Sequence, residues 1–192
     1  MKPEWTNDRK FGWKTFGQSS WLISFFFYTI AIFCLILNIL DLHKISIIVC
    51  AGILIHVAIE SCSTDMRFNR VYENTVFISI FLILIVNLIT IEKPLEYGLI
   101  SSLILFSALI FRVMMSADAL LIAIVAISNL AISYWALLFS IAAIGVSFVI
   151  FGNIKLYKEE NIGNKYPVAF LIMGPGLLVY AIATLAMIFS VV

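Results

Sequence analysis

Few side chains in this sequence could do chemistry, and two aspartates stand out among them. Asp118 lies in Met114-Met115-Ser116-Ala117-Asp118-Ala119-Leu120-Leu121, with no charged residue within five positions of it and an apolar run after it. Asp65 lies in Ser61-Cys62-Ser63-Thr64-Asp65-Met66-Arg67-Phe68-Asn69-Arg70-Val71-Tyr72-Glu73-Asn74. Ionisable side chains at membrane depth are costly and are functional candidates for that reason. Each also has an ordinary reading: Asp118 as a boundary carboxylate capping a helix start, Asp65 as a loop aspartate. Two carboxylates at one depth on separate helices are what acid–base hydrolysis with an activated water requires.

The other reactive residue types give no comparable pattern. His56 and Glu60 stand four apart and share a helix face, which predicts a buried hydrogen-bonded pair, since no third ligand stands at compatible spacing for a metal. Cys34, Cys50 and Cys62 form no Cys-x-x-Cys pair, and Cys34 and Cys50 sit in apolar runs where cysteine acts as a small hydrophobe. Ser61, Ser63 and Thr64 are expected to satisfy local backbone groups. No Gly-x-Ser-x-Gly elbow or Ser-Lys relay is present. Gly174-Pro175-Gly176 is expected to bend the last helix. Neither metal nor organic cofactor is expected.

The elements that must position the aspartates are membrane helices. Of 192 residues 63% are hydrophobic and 12% charged, against about 25% charged in soluble chains. The net charge of +1 carries no basic patch large enough to grip nucleic acid. Apolar runs cover Trp21–Leu40, Ile45–Ile59 (extended through Glu60–Thr64), Thr75–Ile91, Tyr97–Met115, Ile132–Phe151 and Pro167–Val192. A span needs about 20 such residues. The first run is too long for a removable signal peptide and has no small-residue cleavage site after it.

Asp118–Leu130 is shorter, at about 20 Å as a helix, and reads as a short span or a re-entrant half-helix. Basic residues decide between the two, because they gather in cytoplasmic loops. With seven crossings and a cytoplasmic N-terminus, Lys2, Arg9, Lys10, Lys14, Arg67, Arg70, Arg112, Lys155, Lys158 and Lys165 lie inside and only Lys44 and Lys93 outside. Without that crossing the last three lysines change sides. Seven crossings are therefore predicted, and both Asp65 and Asp118 then fall at the cytoplasmic face. Helix dipoles make Asp118, at a helix start, the ionised base and Asp65, at a helix end, the proton carrier.

These residues resemble the aspartic membrane peptidases that process type IV prepilins and archaeal preflagellins. That family shows an Asp-x-Arg (or Lys) motif followed by Ile/Val-Pro-Asn, and later a Gly-x-Gly-Asp or Gly-Gly-Ala-Asp motif opening a helix. Asp65-Met66-Arg67 matches the first, with Val71 where Ile/Val is expected and Tyr72-Glu73 replacing Pro-Asn. Ala117-Asp118 matches the second, with Met115, Ser116 and Ala117 where the first form has Gly-x-Gly. Lys165-Tyr166-Pro167-Val168-Ala169-Phe170, with Gly174 beyond, resembles the family's Pro-Phe-x-Pro segment at the start of its last helix.

The resemblance implies an all-α polytopic bundle: a six-helix peptidase core over 45–192, an extra transmembrane helix and loop over 21–44, and a cytoplasmic tail over 1–20. It implies a catalytic pair of Asp65 and Asp118, supported by Arg67, Met115, Ser116, Ala117, Lys165 and Pro167. The substrate would be a prepilin-like or preflagellin-like membrane protein with a class III signal peptide, cut at the cytoplasmic face of the cell membrane. The partners are then that substrate and the lipid bilayer, with no nucleic acid. Nothing in the chain corresponds to the cysteine-paired cytoplasmic domain of many bacterial members, so the compact archaeal-type branch is the nearer one. Two other readings stay open: a catalytically inactive homologue, and a small proton-coupled transporter using Asp118.

Overall fold

The computed structural model describes residues 22–68, 71, 73–114, 118–158 and 168–189, and their regular structure is entirely helical. The helices are α1 (Leu22–Ile36), α2 (Leu42–Phe68), α3 (Glu73–Thr90), α4 (Pro94–Met114), α5 (Asp118–Ile132), α6 (Tyr134–Lys158) and α7 (Val168–Phe189).

Local chemistry sets the boundaries within long apolar runs. The first run stops early because Asn38 takes a left-handed φ of 52°, a helix-ending conformation that asparagine tolerates. Asp41 then opens α2 by accepting the Lys44 amide at 2.8 Å. Pro94 occupies the first position of α4, where its missing N–H costs nothing. The Ser133 hydroxyl accepts the Ala136 amide at 3.0 Å and starts α6 with Ser133 alone between it and α5.

Among the described residues four helices are long and apolar enough to cross a membrane: Leu42–Asp65, Glu73–Thr90, Pro94–Arg112 and Val168–Phe189. The outward surface is apolar, with Leu22, Phe25, Phe26, Ile89, Leu95, Trp135 and Phe189 all largely exposed. Such a surface suits lipid rather than water, as a membrane protein requires. α5 is shorter than these four, at 15 residues or about 22 Å. It is also the centre. From Leu120 to Ala131 every residue but Ile122 is buried, and α2, α3, α4, α6 and α7 all pack on it. A helix apolar on all sides belongs in such a jacket.

Side-chain bonds fix the directions. At one end, the starts of α4 and α6 meet through Tyr134 and Glu96, and Tyr97 near the start of α4 donates to the Ile127 carbonyl near the end of α5. At the other end, Arg112 in the last turn of α4 pairs with Glu73 in the first turn of α3, and Thr75 reaches Glu60 on α2. Successive helices from α2 to α6 therefore alternate in direction, and α5 runs from one end of the bundle to the other instead of turning back. α7 lies antiparallel to α2, with Tyr180 donating to the Ile47 carbonyl at 2.7 Å.

Polar ties hold the interior, where apolar contact gives no advantage over lipid. Asn87 donates to Cys50 Sγ at 3.3 Å and to the Ile83 carbonyl at 2.9 Å, while Thr90 donates to Ser46 Oγ at 2.9 Å. On the other flank of α2, Gly52 lets α1 approach, and Ser24 donates to the Gly52 carbonyl at 2.9 Å.

Candidate active site

Asp65 lies in the last turn of α2 and is buried. Its Oδ2 accepts the backbone N–H of Ala169 at 2.8 Å. Ala169 is the second residue of α7, so a carboxylate from α2 caps a helix that begins a hundred residues later. Asp118 is the first residue of α5 and is half-buried. It stands at the same end of the bundle as Asp65, and α2 and α5 are packed together.

The two aspartates named from the sequence thus share one end of the helix bundle. The third stretch named with them, Val168-Ala169-Phe170, is brought directly onto Asp65 through the Ala169 amide. The same contact changes their electrostatics. Asp65 faces the electropositive start of α7 as well as the electronegative end of its own helix, so helix dipoles no longer make Asp118 the base and Asp65 the proton carrier. Arg67 contributes its backbone to α2, and its side chain lies outside the described atoms. Met115, Ser116, Ala117, Lys165 and Pro167 lie outside the described residues, so the expected cap from Ser116 lies outside them too.

A polar track leads from Asp65 along α2 toward the middle of that helix. Ser63 and Thr64 donate to the Glu60 carbonyl, each at 2.9 Å, as local satisfaction of helix backbone. The Glu60 carboxylate meets His56 Nε2 at 3.5 Å and accepts the Thr75 hydroxyl at 3.2 Å. His56 and Glu60 are half-buried. Cys34, Cys50 and Cys62 are free thiols, and Cys50 serves as an acceptor inside the bundle.

Contacts from α5 and α6 seat the last helix. α7 continues unbroken through Gly174-Pro175-Gly176. At Gly176 α7 lies tight against α5, since a Cβ there would clash with Val125 Cγ1. Asn129 and Ser147 both reach α7 backbone carbonyls, at Gly176 and Leu171. Polar residues inside apolar runs were the available signal for Asn87, Asn129 and Ser147. Nothing in residue type marked the Ala169 amide.

What the site defines by itself is a helical membrane bundle with two aspartates at one end, one of them bound to the start of α7. The chain matches no protein-family model, no curated protein and no solved structure.

Proposed function

We propose that this chain is an aspartic endopeptidase of the membrane, similar to the prepilin and preflagellin peptidases, with Asp65 and Asp118 as its catalytic pair. One observation carries the reading. Asp65 is buried, at the same end of the bundle as Asp118, and bonded to the segment that resembles the third family motif. In this reading α2 to α7 form the six-helix core, α1 is the added helix, and all seven cross the cell membrane with the N-terminus in the cytoplasm. Both aspartates then sit at the cytoplasmic face, where a short leader peptide meets the apolar helix of a class III signal-peptide substrate.

The chemistry needs no metal. Hydrolysis by two carboxylates works with one of them ionised and the other protonated. The ionised member takes a proton from water as the oxygen attacks the scissile carbonyl. The protonated member hydrogen-bonds that carbonyl, and a proton passes to the leaving amine as the C–N bond breaks.

Co-expression with prepilin-like and preflagellin-like substrates tests this: a size shift is expected with the unaltered chain and none with Asp118→Asn. The cap that Asp65 makes would serve an inactive homologue equally well. Absence of processing for every such substrate would therefore replace the peptidase with that homologue.

A further inference from the structure

We propose that Ser147 on α6 is a positioning residue for Asp65, acting by supplying the hydrogen bond that Pro175 removes from α7. The positioning role rests on the peptidase reading; the hydrogen bond itself does not.

Pro175 has no N–H and lies inside α7. In an α-helix the missing donor would have served the carbonyl four residues back, and the proline ring also crowds that carbonyl outward. Four residues back is Leu171. Ser147 Oγ donates to the Leu171 carbonyl at 2.8 Å. The same hydroxyl stands 2.8 Å from the Ile144 carbonyl in its own helix. A hydroxyl has one proton to give. Ile144 keeps the ordinary helical donor four residues on, whereas Leu171 has lost its own, so the proton is worth more at Leu171.

The segment from Val168 to Gly174 is therefore held differently from the rest of α7. At its start the Ala169 amide is bound to Asp65, and in its middle the Leu171 carbonyl is bound to Ser147. Beyond Pro175, Gly176 is pressed against Val125 of α5 and fixes the remainder. Gly174, by contrast, has open space beside it. Without Ser147 this first part of α7 could tilt about Pro175 and carry the Ala169 amide away from Asp65. The carboxylate would then lose the donor that sets its rotamer, and misplacement of a reacting group by about 1 Å can cost about a hundredfold in rate.

Amide exchange in the Val168–Gly174 segment of the full chain in detergent micelles, with cleavage followed in parallel, tests the proposal. Ser147→Ala should speed exchange there and lower kcat about tenfold or more, with KM little changed. Ser147→Thr should restore both. Ser147→Ala combined with Pro175→Ala should also restore both, because alanine returns the N–H that Leu171 lacks. Unchanged exchange in Ser147→Ala overturns the proposal, as does a kcat loss that neither Ser147→Thr nor Pro175→Ala repairs. If no substrate is cleaved even by the unaltered chain, the peptidase reading falls, while faster exchange and its repair by Pro175→Ala still decide whether Ser147 replaces the missing donor.

Discussion

Asp65 and Ala169 are 104 residues apart in sequence and 2.8 Å apart in space, joined through the carboxylate of one and the amide of the other. The contact gives Asp65 two possible duties, as a cap for α7 and as half of a catalytic pair. A cap needs an acceptor oxygen, which an amide side chain also has; a catalytic acid or base needs a titratable carboxylate.

Asparagine and alanine at position 65 separate the duties. Asp65→Asn should keep the Ala169 bond, lower thermal stability only slightly and abolish cleavage. Asp65→Ala should abolish cleavage and also cost about 1 kcal/mol of stability through loss of the cap. Asp118→Asn should abolish cleavage with little change in unfolding temperature. Thermal unfolding in detergent and a gel-shift assay measure the two quantities; normal cleavage by Asp65→Asn would leave Asp65 as a cap alone.

Glu73 and Glu60, two further carboxylates toward this end of the bundle, should be dispensable for the chemistry. Glu73 pairs with Arg112 at a partly exposed site, and such pairs contribute about 0–1 kcal/mol. Glu73→Gln and Glu60→Gln should therefore retain cleavage within about an order of magnitude, below the loss of about 10² or more expected for a missing general acid or base. A complete loss in either variant would move the acid–base assignment away from the pair proposed.

Much of the fold was legible because each helix is announced by a run of apolar residues long enough to need burial or lipid. The trimming of those runs was less so. Trp21–Leu40 ends early at Asn38, and the run at Ile45 gains Leu42–Lys44 because Asp41 caps it. The aspartates were visible as charges in apolar surroundings. Their environment was not, because the partner of Asp65 is a backbone amide, which every residue but proline carries and no sequence pattern marks. The bond to Leu171 was half-legible. Pro175 announces a carbonyl without a donor four residues earlier, but which helix supplies the donor depends on packing.

Orientation can be checked without any substrate. Single cysteines at Asn74, in the exposed first turn of α3, and at Lys93, before α4, lie at opposite ends of the bundle. An impermeant thiol reagent should label the cysteine at Lys93 from outside intact cells and reach the one at Asn74 only after the membrane is opened. Labelling of both from outside would contradict the seven-crossing orientation and the cytoplasmic placement of the aspartates.

Gly176 and Val125 give the sharpest test of how α7 is seated. An added Cβ at Gly176 would stand 2.4 Å from Val125 Cγ1 and 2.9 Å from Cγ2. Val125 is buried and β-branched, so it has little freedom to rotate away. Gly176→Ala should therefore push α7 off α5 at a cost of about 1–3 kcal/mol. Val125→Ala alone should cost about 2 kcal/mol through lost packing. Together they should cost less than the sum, because removing both γ carbons makes room for the new methyl. Gly174→Ala, two residues away with nothing near it, should fall within about 1 kcal/mol of the unaltered chain. Because α5 carries Asp118 and α7 is capped by Asp65, Gly176→Ala should also depress cleavage, and Val125→Ala should return part of it. Strict additivity of the two variants, in stability and in cleavage, would mean that this contact does not set the spacing between α5 and α7.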